Sequence, residues 1–151
     1  MFSLKRIQGS LIMLVAFFLI ALGSCKKTTT TDPTNLLQQY FDANILNQSF
    51  SIILATDHGN DITSSYNGYT FKLLKTDYYQ GPIEMKYGTS TYMGSWSANS
   101  DYSKLVINLP ATPSIFLFLT REWRFTSKNL PELDLAPWGT TDPIVLHILR
   151  Q

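Results

Sequence analysis

The residues able to do chemistry are few, and their spacing builds no catalytic constellation. The chain of 151 residues carries one cysteine and two histidines, too little material for a zinc site and no basis for an internal disulfide. Asp57 and His58 adjoin as the acid and base of a dyad would. Neighbours in a turn are expected to point apart, however, and no serine or cysteine nucleophile has a recognisable setting. His147 alternates with Leu146 and Ile148, which puts it on a solvent-facing side. Asp57, Asn60 and Asp61 share one loop, but their spacing matches no EF-hand calcium loop and the same side chains serve a turn. Gly59 is isolated, so no glycine-rich phosphate loop exists. The expectation is a protein that is not an enzyme and uses no metal or cofactor.

The single cysteine has a more informative setting. Lys5 and Arg6 precede Leu11 to Leu22, about twelve apolar residues, and the small residues Gly23 and Ser24 follow. This order reads as a signal peptide. As a helix the run covers ~18 Å at ~1.5 Å per residue, well short of a ~30 Å hydrocarbon core. Leu22-Gly23-Ser24-Cys25 resembles the lipobox of bacterial lipoproteins, in which small residues admit the chain to a peptidase and the cysteine thiol takes the lipid. The resemblance implies a signal peptide over residues 1–24 and a membrane partner reached through acylated Cys25. Acyl chains contribute ~0.8 kcal/mol per buried CH₂, so a triacylated cysteine anchors firmly without a spanning helix. Lys26 stands where an inner-membrane lipoprotein of enteric bacteria has Asp, and this leans the expected address towards the outer membrane of the cell envelope. Residues 25–36, rich in Thr and Pro, read as a flexible tether.

Removing residues 1–24 takes two of the 12 basic residues and leaves the 11 acids, a formal charge of −1. Such a balance offers no electrostatic footprint for nucleic acid. The apolar fraction falls from 44% to roughly 39%, an ordinary value for a secreted domain.

From residue 37 to 151 the pattern is all-β. Ser49–Thr56 is apolar and β-branched, and Asp57–Asp61 supplies a turn. Ile62–Ser65 and Tyr69–Lys75 read as strands separated by Asn67-Gly68. Gln80-Gly81-Pro82 reads as a break, after which Ile83, Met85 and Tyr87 alternate with polar residues. Tyr92–Ala98, Lys104–Leu109, Trp123–Thr126, Leu133–Leu135 and Ile144–Leu149 complete about eight strands, with a last turn over Gly139–Pro143. This is an antiparallel meander closing into a small barrel or a sandwich. Leu36–Phe41 reads as a single helical turn. Ser114–Leu119 has no period; a short helix closing one barrel end is favoured over a buried strand.

The order of motifs, Gly68-Tyr69-Thr70-Phe71, Met93-Gly94-Ser95-Trp96-Ser97, Lys104 to Leu109, Glu122-Trp123-Arg124-Phe125 and Val145 to Arg150, resembles the small lipocalin-like lipoproteins of Bacteroidetes-type bacteria. The resemblance covers residues 44–150 and implies a lipocalin-like barrel that holds a small apolar or amphipathic ligand. It also departs from true lipocalins, whose Gly-x-Trp lies on the first strand. Phe71, Trp96, Leu105, Ile107, Trp123 and Phe125 are the candidate ligand-lining set, with core packing the favoured reading for each. Seven of the eight tyrosines fall between Tyr66 and Tyr102, where they suit a binding rim or cross-strand pairs. The second function class consistent with these residues is a structural or protein-interaction module whose barrel is filled.

Overall fold

Alternating apolar and polar residues become strands that put one set inside and the other out. The computed structural model describes the backbone from residue 33, and side chains from residue 36, to residue 151. The expected signal peptide, Cys25 and the first part of the expected tether lie outside the described residues. Helix α1 (Pro33–Asn44) leads into β1 (Phe50–Asp57), the two-residue β2 (Asn60–Asp61), a 3₁₀ turn (Thr63–Tyr66) and β3 (Tyr69–Leu73). There follow β4 (Gln80–Tyr87), β5 (Ser90–Ala98), β6 (Lys104–Asn108), a short helix α2 (Phe116–Leu119), β7 (Arg121–Ser127), β8 (Glu132–Pro137) and β9 (Ile144–Arg150).

The sheet runs β2-β1-β3-β4-β5-β6-β7-β8-β9, and β9 returns to pair with β1. Every pairing between these strands is antiparallel, so eight strands close into a barrel and β2 is an addition at its rim. Closure is strong on one side of β1 and thin on the other. Seven residue pairs join β1 to β9, from Phe50↔Arg150 to Asp57↔Ile144. Only Phe50↔Phe71 joins β1 to β3. A bulge at Ile53 breaks the alternation of β1, so Phe50 and Ile52 point inward before it and Ala55 after it. Beyond the bulge the Thr63 hydroxyl accepts from the Ala55 N–H at 2.9 Å, doing what a ladder partner would do.

Three sequence expectations are corrected here. Ile62–Ser65 is not a strand: its residues turn in the 3₁₀ segment, because Asp61 accepts from the Thr63 N–H at 2.8 Å and starts a turn. Gln80-Gly81-Pro82 does not break the chain but opens β4, with all three residues paired to β5. The break comes earlier, where the Asp77 carboxylate accepts from the N–H groups of Tyr79 and Gln80. The single helical turn near Leu36 is a helix of 12 residues that begins at Pro33, within the stretch that reads as tether. Proline suits that first position, where its missing N–H has no helical partner to lose.

The barrel interior is filled. Phe50, Met85, Leu133, Leu135 and Ile83 are at most 1% exposed. The void left in the interior, beside Phe50, Leu133 and Leu135, is about 10 Å³, no more than one water could occupy. Eight strands make an interior just wide enough for side chains to fill, and here they fill it.

Both barrel ends are plugged. At the end where β3, β5 and β7 begin or turn, α2 lays Phe116 against Tyr69 and Tyr92, with ring centroids 5.9 and 5.1 Å away. Phe118 packs on Tyr66 and Trp123. The Trp123 indole N–H donates to the Leu119 carbonyl at 3.0 Å, and the Tyr66 hydroxyl to the Ile115 carbonyl at 2.8 Å. This is the short helix expected over Ser114–Leu119. At the opposite end α1 inserts Phe41, which stacks on Tyr102 at 4.3 Å and meets Trp96 at 6.0 Å.

Candidate functional site

The architecture is a closed eight-stranded antiparallel barrel with a helix packed at each end. The six sequence candidates do not line a common ligand cavity in it. Phe71, Leu105, Ile107 and Phe125 surround the residual void, too small for any organic ligand. Trp96 and Trp123, 2% and 0% exposed, sit near opposite ends of the barrel and are core. Phe125 alone of the six also faces a second, larger space.

That space lies between α1 and the barrel end. About 330 Å³ is enclosed by Leu37, Tyr40, Phe41, Ile45, Tyr102, Phe125, Lys128 and Leu133. The volume reaches the range of small-molecule pockets, ~300–1,000 Å³. Helix spacing creates it: Leu37 and Phe41 on α1, and Ile45 one residue past its end with its N–H bonded to the Phe41 carbonyl, recur every four residues and present one apolar face to the barrel. Phe41 and Ile45 are 3% exposed, whereas Leu37 is 39% exposed and Tyr40 38%, so the floor is buried and the lip is open. Two polar groups mark that lip. The Lys128 ammonium lies 5.0 Å from the Phe125 ring centre and donates to the Tyr102 carbonyl at 3.1 Å. The Tyr40 hydroxyl donates to the Lys128 carbonyl at 3.4 Å.

Sequence reasoning missed most of this pocket. Its signal was the four-residue recurrence of Leu37, Phe41 and Ile45, which extends past the single turn read at Leu36–Phe41. Nothing local could connect that helix to Tyr102, Lys128 or Leu133. A shallow hollow of about 480 Å³ over Gly81-Pro82 and Gly94–Ser97 is largely open and offers mainly small side chains. Its shape follows from close approaches: a Cβ on Gly81 would lie 2.0 Å from the Leu74 carbonyl, and one on Gly94 2.1 Å from that of Asn108.

Of the clustered tyrosines, Tyr66 and Tyr102 are buried at the barrel ends, Tyr102 also lining the space under α1, while Tyr78 and Tyr87 are exposed. Tyr69 stacks on its cross-strand partner Tyr87 at 4.6 Å. Tyr66 and Tyr102 are 2% exposed, and the Tyr102 hydroxyl donates to the Tyr78 carbonyl at 2.8 Å. Burial pushes the Tyr102 phenol up to about 12 and that of Tyr66 higher still. Both folded pKa values lie above that of an unfolded tyrosine, ~10. The native state therefore keeps protons that the unfolded chain has lost, and stability is lost as pH rises from about 10 through about 12. Urea midpoints measured from pH 9 to 12 should fall in the wild type. The fall should be shallower for Tyr66→Phe/Tyr102→Phe, and equal slopes would refute the assignment.

Asp57 and His58 do not point apart as expected. His58 has a left-handed φ of 50°, which folds its ring back so that Nδ1 lies 2.7 Å from Asp57 Oδ1. Both are exposed at the β1–β2 turn. Asp61, the other acid of that loop, is committed to Thr63, whose hydrogen bonds hold its carboxyl below the usual carboxylate range. His147 sits half-buried on the outer face of β9, opposite Asp134. Its Nδ1 is 3.0 Å from Glu132 Oε1 and 3.4 Å from Asp134 Oδ1. These three ligand-type atoms lie within 4.8 Å of one another, and the His147–Glu132 hydrogen bond accounts for their gathering.

No family model, curated protein or solved structure matches the chain. Among the described residues no helix is long and apolar enough to cross a membrane.

Proposed function

We propose that the chain is a lipoprotein of the bacterial cell envelope, anchored through acylated Cys25, whose barrel is a closed scaffold for an amphiphile-binding pocket under α1. The single observation that carries the ligand reading is the 330 Å³ apolar space with a buried floor and an open polar lip. The ligand is a small apolar or amphipathic molecule, held between helix and barrel end instead of inside the barrel. Lys26 directly after the cysteine supports the outer membrane as its site.

The test is a titration of the mature chain from residue 25, carrying Cys25→Ser so that no acyl group competes, with 1-decanol followed by methyl NMR. Saturable shifts are expected at Ile45 and Leu133, with Leu105 and Ile107 deep in the barrel moving little. Absence of saturable binding, or shifts centred on the interior, would refute the reading. The plugged barrel also supports a second reading, a filled interaction module. In-cell crosslinking from the exposed Leu36 and Leu37 should then recover one reproducible protein partner, and recovering none counts against it.

A further inference from the structure

The charge at the pocket lip says which amphiphile fits. Three of the four other described lysines are paired, Lys75 with Asp42 at 2.8 Å, Lys86 with Glu84 at 3.1 Å and Lys104 with Glu122 at 3.0 Å, and the fourth, Lys72, alternates with the buried Phe71 and Leu73 on β3 and does not line the pocket. Lys128 differs. Its ammonium donates to a backbone carbonyl and rests on the Phe125 face, and among the described residues no carboxylate lies within 4.0 Å of it. The acid in its neighbourhood, Asp101, is engaged with the N–H and hydroxyl of Ser103 at 3.0 and 2.7 Å.

We infer that the pocket selects a carboxylate-headed, medium-chain amphiphile, its tail lying over Phe41, Ile45 and Leu133 and its carboxylate on Lys128 at the lip. This rests on the pocket being a ligand site at all, and adds the chemical class of the ligand. Three features of the site agree with it. An apolar floor and an ammonium line one space, as the tail and head of an amphiphile require. The volume, about 330 Å³, lies in the range of small-molecule pockets and leaves room for a short apolar tail. The surroundings also favour a counter-ion: burial pulls the Lys128 ammonium below its ordinary pKa, opposed by Asp101, and a carboxylate placed on it would reverse that. A cationic head would meet Lys128 with like charge, and a neutral head would leave its remaining N–H donors to water.

Calorimetric titration of the same mature chain with decanoate, 1-decanol and decylammonium, below their micelle-forming concentrations, separates the possibilities. Decanoate is expected to bind about tenfold more tightly than decanol, a difference of ~1.4 kcal/mol, and decylammonium more weakly than decanol. Lys128→Met keeps the stem over Phe125 and removes the charge. It should bring decanoate and decanol to parity, with the thermal midpoint lowered only by the loss of the hydrogen bond to the Tyr102 carbonyl, and Lys128→Arg should keep the preference. If decanol binds but decanoate binds no better, or if Lys128→Met preserves the preference, the head-group inference is wrong while the pocket stands. If none of the three binds, the pocket reading falls and this inference with it.

Discussion

Trp96→Ala is expected to destabilise the barrel by about 3–5 kcal/mol, the range for emptying a large aromatic from a core. That is a large share of the ~5–15 kcal/mol that holds a domain together. The indole is 2% exposed, meets the Phe41 ring of α1, and donates its N–H to the Leu74 carbonyl at 2.8 Å. It lies across from Gly81, where a Cβ would come 3.0 Å from Nε1. The ring thus ties β5 to the β3–β4 connection and supports the floor on which α1 sits. Truncation removes the packing, strands the Leu74 carbonyl and loosens the helix together. A drop in Tm on the order of 10–20 °C should result. Trp96→Phe separates the contributions, since it keeps most of the packing and loses only the hydrogen bond, worth ~1 kcal/mol. An Ala variant melting within a degree or two of wild type would show that Trp96 is not structural.

The largest change in behaviour is expected from Cys25→Ser. Wild-type protein should partition wholly with membranes and carry the mass of its acyl groups; the variant should lose that mass and leave the membrane fraction. The reasoning is one of magnitudes. Acyl chains contribute ~0.8 kcal/mol per buried CH₂. Lys26 and Lys27 add only ~1 kcal/mol each against anionic head groups, and that contribution is screened by salt. A variant that stays on membranes through a high-salt wash would refute acylation at Cys25 as the anchor. Loss of attachment with the thermal midpoint preserved would show that the anchor and the barrel are separate devices.

How much could be read from the chain differs sharply between elements. Strands with strict alternation, such as Ile83-Met85-Tyr87 and Ile144-Leu146-Ile148, were legible because a period of two has no other cheap reading. Ile62–Ser65 was misread because an apolar, β-branched start resembles a strand, whereas a carboxylate hydrogen bond to Thr63 decides for a turn. Gly81-Pro82 looked like punctuation. In the barrel the glycine is needed for space beside Leu74 and Trp96, and the proline takes a strand position where its own carbonyl still accepts from the Leu74 N–H.

The candidate pocket was legible only in its helix. Leu37, Phe41 and Ile45 announce an apolar face by spacing, but the sequence does not say what that face covers. Tyr102, Lys128 and Leu133 come to it from connections and strands more than 50 positions away, through the closure of the barrel.

By itself the sequence determined what depends on local order: the apolar run ahead of the single cysteine, the near-neutral charge, and the alternation that makes a β meander. The tertiary structure decided what depends on volume. Whether six aromatic and aliphatic residues line a cavity or fill it turns on a few ångströms between opposite strands, and on whether a helix plugs the end. Those distances follow from the simultaneous packing of residues far apart in the chain, which no local pattern encodes. In this barrel they fill the interior and move the open space outward, beneath α1.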